Sequence, residues 1–496
     1  MQRVNGVTYD VIIVGAGPAG IFAALELVQA TSGDWLGSAD SDTKVPTTTR
    51  PLRILMLDKG PNLAERLCPS HEQSIGCSLC TPCATVSGWG GAGAFSDGKL
   101  TLSPQVGGML DQYLGDYQLT RYIQYVDSIY CAFGAPKKVY GADDEEALAE
   151  IRRKAVLADL KLVPAPIRHL GTGRTKEILQ GMQDFLVQHG VEIRTRTWVE
   201  EIQAHDGKVQ GVVTRSGEFI PGRYVIIAPG REGAEWLVRQ AEKLKLELAV
   251  NPVDIGVRVE VPAAVMSHLT DVIYESKFIF YSKKFDDRVR TFCMNPHGEV
   301  VLENMEGLVT VNGHSYAEDV DRKTENTNFA LLVSKTFTQP FKDPIAYGKS
   351  IARLANLLGG GVLVQRLGDL ISGRRSTPDR IEKGLVTPTL KEATPGDLSL
   401  VYPYRHLTAL VEMLQAMDRI APGVYSRHTL LYGVEVKFYS SRLQLSSSLE
   451  TKVNNLYAAG DGAGVTRGLV QASVAGVLTA RGILEKEGKE DHSCQP

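Results

Sequence analysis

The sequence predicts an α/β protein: a domain built on a parallel sheet with a β-meander, interrupted by an α+β domain before the chain returns to finish the first. Three observations predict it. Near the start, a strand-like run, Val11 to Val14, passes through Gly15-Ala16-Gly17-Pro18-Ala19-Gly20 into an apolar-periodic helix, Ile21 to Val28. In mid-chain, "VEIRTRTWVEEIQAHDGKVQGVVTRSGEFIPGRYVIIAPG" breaks into short strands at its "HDGK" and "SGE" turns. Near the end, "NNLYAAGDGAGVTRGLVQASVAGVLTA" again reads as strand, glycine turn and helix, the helix starting at about Thr466. The expected division is residues 1–235 for the main part, 236–430 for the inserted domain and 431–496 for the return segment.

The first element is GxGxxG between a strand and a helix, the Rossmann-like arrangement that binds a dinucleotide. Gly15 permits the tight turn, Gly17 lets the backbone approach a pyrophosphate, and Gly20 allows the helix to pack closely on the strand. Pro18 and Ala19 complete the loop, and the free N–H groups of the helix start face the phosphates. An acidic residue is expected about 20 residues further on, to accept hydrogen bonds from a ribose. The candidate is Asp58, followed by Lys59, in "RILMLDKG", well beyond that spacing. Residues 31–51, rich in Ser, Thr, Asp, Gly and Pro and without periodicity, read as a surface insertion, and their removal restores the distance. The plainer alternative for Asp58 is a surface carboxylate after a strand.

Residues 77–100, "CSLCTPCATVSGWGGAGAFSDGKL", set cysteines against a glycine run. The run around Gly90, Gly91, Ala92 and Ser96 has little side-chain bulk, so its backbone can lie against a planar ring or a phosphate; a flexible loop is the alternative. Cys68, Cys77, Cys80 and Cys83 leave three readings open: a metal site holding an iron–sulfur cluster or zinc, a redox dithiol, or packed unligated thiols. Cys131, Cys293 and Cys494 stand alone. "HLGTGRTKEIL" has no strand leading into it and lacks a third glycine, so it reads as a helix start with Thr175 bonding locally, not as a second dinucleotide site.

The tail resembles the second FAD fingerprint of glutathione-reductase-like flavoproteins, which implies that Gly460 and Asp461 reach the ribitol and that the following helix points its positive end at the flavin. The meander is similar to one in the same superfamily. There a valine at the position of Val199 touches the adenine and the closing strand ends in Ala-Thr-Gly, here Ala228-Pro229-Gly230. FAD is therefore the expected cofactor, with an iron–sulfur cluster as a possible second. Together "GGAGAFSDGKL", "NPVDIGVRVE", "YSKKFDDRVRTFCMNPHGEVV", "GVEVKFYSSR" and "GDGAGVTRGLVQASVAG" resemble a family of uncharacterised FAD-dependent dehydrogenases over most of the chain. That resemblance implies oxidoreductase activity and no particular substrate. By this reading Lys437, Tyr439, Arg442, Thr466 and Arg467 are the candidates nearest the flavin, with Lys437, Tyr439 and Arg467 expected to act in catalysis. Lys437 and Tyr439 share one face of a strand that could equally face solvent.

Composition bounds the partners. A chain of 496 residues with net charge −3 and no basic run has no electrostatic footprint for nucleic acid or anionic lipid. The longest early apolar stretch is too short and too broken by glycine to span a bilayer, so a cytoplasmic location is expected. Seven cysteines are too few for a disulfide scaffold in a chain of this length. The leading expectation is an FAD-dependent oxidoreductase passing a hydride or electron pair between flavin and a small organic substrate held between the domains. NAD(P)H or a redox protein would serve as electron partner. A flavin/iron–sulfur electron-transfer enzyme and a protein holding FAD as a structural or methyl-carrier cofactor are the alternatives.

Overall fold

A computed structural model describes residues 8–33, 36, 46, 50–68, 80–96, 98–142, 144–249, 251–305, 308–315, 323–337, 343–437 and 442–493. The chain forms two compact units, one from 1–138, 168–249 and 440–496, the other from 139–167 and 250–439. Most of the expected insertion at 31–51 lies outside the described residues.

In the first unit five parallel strands run side by side in the order Glu192–Arg194, Ile54–Leu57, Tyr9–Val14, Phe219–Ile227 and Leu456–Ala458. The central strand is a continuous apolar run because both faces are covered: Val11, Ile12 and Ile13 are fully buried. Each such side chain contributes about 1.5–3 kcal/mol by leaving water. The helix Pro18–Ser32 is buried nearly all round, from Ala19 to Ala30, and stops at Gly33 in the left-handed conformation. One neighbour is the helix Leu469–Ser493, and a side chain at Gly476 would lie 2.0 Å from the Ala19 carbonyl oxygen, so the two backbones touch. Glu26, buried in mid-helix, is held by Arg481 Nε at 2.6 Å and the Tyr125 hydroxyl at 2.7 Å. The meander is present: Val199–His205, Lys208–Thr214 and the start of Phe219–Ile227 pair antiparallel.

The second unit is an eight-stranded sheet ordered Thr394–Pro395, Leu363–Arg366, Leu430–Lys437, Val253–Pro262, Asn326–Lys335, Arg288–Asn295, Lys277–Tyr281 and Lys161–Val163. The strand Val253–Pro262 alternates. Ile255, Val257, Val259 and Val261 enter a core shared with helices Ala263–Ile273, Pro344–Gly359 and Tyr404–Asp418. Asp254, Arg258 and Glu260 take the opposite side, where the Arg258 guanidinium forms a fully buried two-pronged pair with Glu435 at 2.8 Å.

This unit differs from the expected block 236–430 at both ends. Helix Ala234–Lys243 belongs to the first unit and the strand Leu430–Lys437 to the second, and 139–167 joins the second as well. The physical reason for the last difference is edge pairing: Lys161–Val163 adds to the strand Lys277–Tyr281, and helix Glu145–Leu157 covers the same core. A three-residue strand carries too little alternation to be read from sequence.

Candidate functional site

The site is built where the loops at the carboxyl ends of the parallel strands meet in the first unit. Three backbone hydrogen bonds lock them: Gly15 N–H to Leu57 O at 2.8 Å, Ala228 N–H to Val14 O at 2.7 Å and Gly90 N–H to Ala16 O at 2.8 Å. Only glycine fits at two of the fingerprint positions. Gly15 has φ +110° and a Cβ there would lie 2.0 Å from the Ala228 oxygen, while a Cβ on Gly20 would lie 2.0 Å from the Gly15 oxygen. Gly17 is different. It caps the helix at φ −82° with no side-chain hydrogen bond to the first turn, and a Cβ there would meet only Gly91 Cα, at 3.8 Å. Its glycine is therefore not demanded by the protein's own packing, and with Pro18 it is partly open beside an uncapped helix start.

Asp58 sits at the end of the second strand as expected. Its Oδ2 accepts the Ala16 N–H and its Oδ1 the Gly60 N–H, both at 2.8 Å. Burial pushes its pKa up, against those amides and Arg66. Each carboxylate oxygen retains acceptor capacity for a further donor. Lys59 pairs with Glu232 at 3.3 Å and lies over the Trp198 ring. Val199, next to Trp198, is half-buried against the core.

The glycine run forms a short 3-10 turn, Gly91–Phe95, whose Gly91 faces Gly17 and whose Ala92 is exposed. The Ser96 hydroxyl donates to Gly93 O at 2.9 Å. What holds this segment is a residue that the sequence did not single out. Arg66, 1% exposed, donates to the carbonyls of Ala84 at 2.8 Å, Thr85 at 2.9 Å and Trp89 at 2.6 Å, and stacks on Phe95. Burial lowers its pKa to about 10, with Asp58 and Cys83 opposing. No periodic signal marks an arginine whose partners are all backbone carbonyls.

At the far end of the sheet, Gly460 (φ +79°) brings the turn against Ala19, and Gly462 is pressed on the Gly230 carbonyl. Asp461 Oδ1 accepts the Thr466 hydroxyl at 2.8 Å and the Gly468 N–H at 3.3 Å. Burial raises the Asp461 pKa, while Arg231, Thr466 and Arg467 act to lower it. The helix begins at Leu469, three residues later than expected, so Thr466 and Arg467 lie in the turn. Thr175 does bond locally, to Gly171 O at 2.8 Å.

The structure thus brings together Gly15, Gly17, Pro18, Ala19, Gly20, Asp58, Gly90, Gly91, Ala228, Gly230, Gly460 and Asp461. Lys437 belongs to the second unit, where its ammonium sits 3.3 Å from both Glu303 and Glu435. Arg442, in the first unit, donates to Gln112 at 2.6 Å. Tyr439 lies outside the described residues, as does Cys77. Cys68 and Cys83 are half-buried and Cys80 is exposed, all three as free thiols, with the Cys83 sulfur 3.0 Å from the Thr85 hydroxyl. Among the described residues, no three His, Cys, Asp or Glu side chains are grouped so that they could hold a metal ion. No described helix is long and apolar enough to cross a membrane.

A protein of Clostridium beijerinckii described as uncharacterized is 27% identical over 96% of this chain and 80% of its own length. Two solved structures overlap loosely along nearly the whole chain. A 3-ketosteroid-Δ4-(5α)-dehydrogenase of Rhodococcus jostii has 14% identity and a TM-score of 0.43, covering 97% of this chain and 98% of that one. A formate oxidase of Aspergillus oryzae has 12% identity and a TM-score of 0.43, covering 98% and 100%. Residues 252–438, nearly all of the longer segment of the second unit, match the family described as FAD-dependent protein, C-terminal domain-like.

Proposed function

We propose that this chain is an FAD-dependent oxidoreductase acting on a small organic substrate. The observation that carries the reading is Gly17, a glycine that the fold does not need, facing Gly91 across a seam beside an uncapped helix start. A pyrophosphate is the group that needs bare backbone and free N–H groups at that place. The match of residues 252–438 to an FAD-dependent protein domain supports it from a separate part of the chain.

In this reading the loop 15–20 holds the pyrophosphate, with the amides of Ala19 and Gly20 as donors. Asp58 keeps the loop in shape through Ala16 and Gly60 and offers its remaining lone pairs to the ribose. Val199 lines the adenine end. Gly91 and Ala92 supply bare backbone to the cofactor, Ser96 steadies their turn, and Arg66 fixes that segment. Asp461, braced by Thr466, takes the ribitol. Bound FAD supplies the hydride or electron-pair chemistry that no side chain can. Arg467, beside Asp461, anchors negative charge, and Lys437, neutralised by Glu303 and Glu435, is a positioning group in the second unit. The test is release of cofactor from the purified protein and its identification by chromatography, followed by anaerobic reduction and reoxidation of the holoprotein. Bound FAD that cycles between its oxidised and reduced forms is expected. Purified protein that carries no flavin and takes up none would overturn the reading.

A further inference from the structure

A second site of charge lies in the second unit. Asp369, fully buried on the short helix Leu367–Ile371, is met by three arginines. Arg366 forms a two-pronged pair with it, Nε to Oδ2 at 3.0 Å and Nη2 to Oδ1 at 3.2 Å, which already matches one positive charge to one negative. Arg374 Nε and Arg380 Nη1 then both reach the same Oδ1, each at 3.0 Å. The Ser376 hydroxyl takes the other oxygen at 2.8 Å.

One carboxylate thus holds three guanidinium groups, leaving two positive charges in excess at one point. Asp379 and Glu382 lie on the same segment, but among the described residues neither forms an ion pair with these arginines. A loop clamp alone would be satisfied by Arg366 and Ser376. The two further arginines are also the accessible ones: the Arg374 side chain is 47% exposed and that of Arg380 37%, against 8% for Arg366. Each spends one nitrogen on Asp369 and keeps others for a ligand, in orientations set by a shared buried anchor. Gathering like charges costs free energy, which a bound dianion would offset.

We propose that Arg374 and Arg380, anchored on Asp369, bind the phosphate group of a small molecule. Two negative charges match the excess, and a tetrahedral oxyanion presents several oxygens to two planar forks, as a single carboxylate does not. The site stands apart from the FAD reading, so either can fail without the other.

The experiment is calorimetric titration of the full-length protein as purified, with no free nucleotide added, at low ionic strength, with inorganic phosphate and separately with phenyl phosphate. One saturable site is expected for at least one of the two, weakened about tenfold for each guanidinium removed in Arg374→Gln and Arg380→Gln. Preference for phenyl phosphate identifies a phosphorylated metabolite as the ligand class, and preference for inorganic phosphate the free ion. Arg374→Lys, which keeps the charge and loses the fork, retains weaker binding and guards against a folding defect in the glutamine variants. Failure of both anions to saturate, or equal binding by wild type and Arg374→Gln/Arg380→Gln, would overturn the proposal.

Discussion

Gly17→Ala separates a glycine kept for a ligand from a glycine kept for the fold. At φ −82° and ψ −175° alanine meets no backbone strain, and its Cβ would make an ordinary contact with Gly91 Cα at 3.8 Å. Two small terms then oppose each other. Alanine caps a helix less well than glycine, while the loss of a glycine restricts the unfolded chain, a gain of about 0.4–1 kcal/mol. Folding stability should therefore move by no more than about 0.5 kcal/mol, as for substitutions that touch nothing. Cofactor binding should not be spared. The added methyl stands where a pyrophosphate must approach, and losing one charge-assisted hydrogen bond to the loop costs about 1.5–3 kcal/mol, or about ten- to hundredfold in Kd. The assay is a pair of measurements on each variant: thermal unfolding of the apoprotein and titration with FAD by fluorescence. Gly15→Ala is the contrast, because φ +110° and a 2.0 Å approach to the Ala228 oxygen should abolish folding itself. Undiminished FAD affinity in Gly17→Ala would refute the reasoning, and so would a collapse of its apoprotein.

Other consequences follow from the same geometry. Arg258→Met leaves the buried Glu435 with Lys437, at 3.3 Å, in place of its two-pronged partner and should lower stability by about 3 kcal/mol in denaturant unfolding, much of it recovered in Arg258→Met/Glu435→Leu. Equal stability of the two variants would show that the pair is not the cause. Arg66→Ala removes the donor to three carbonyls and should speed amide exchange across 84–91 while weakening FAD binding; unchanged exchange would leave that segment held by something else. His406 is 2% exposed, neither ring nitrogen has a partner among the described residues, and burial holds its pKa down to about 4. Its neutral form is favoured on folding, so its contribution is complete above the ordinary value near 6.5 and is lost as pH falls toward 4. At about 1.4 kcal/mol per pH unit the loss reaches roughly 3 kcal/mol. His406→Leu should remove this acid-side slope and raise stability at pH 5, and an unchanged slope of stability against pH would contradict it.

Much of the first unit was legible because its rules are local. Strand, glycine turn and helix follow one another within about 20 residues, and Gly15 and Gly20 are demanded by contacts that their spacing implies. Asp58 was legible despite the insertion because it ends a second apolar strand. The meander was legible from its turns, and Asp206 and Gly207 do take positive φ between the first two strands. What escaped was pairing without a repeat. Arg66 bonds to carbonyls 18 to 23 residues away, Asp369 gathers arginines at the irregular offsets of three, five and eleven residues, and Lys161–Val163 joins a sheet more than a hundred residues further along. None of these leaves a period in the sequence. The cysteine spacing was visible, but spacing says nothing of where sulfurs point, and Cys80 is exposed while Cys68 and Cys83 are half-buried.

The central claim is that the seam between Gly17 and Gly91 receives the pyrophosphate of FAD. A crystal structure of the FAD-loaded protein tests it most directly. The account predicts the pyrophosphate against Gly17, within hydrogen-bond distance of the Ala19 and Gly20 amides, with the ribose at Asp58 and the ribitol at Asp461. A nucleotide bound elsewhere, leaving Gly17 and the Ala19 and Gly20 amides untouched, would contradict it.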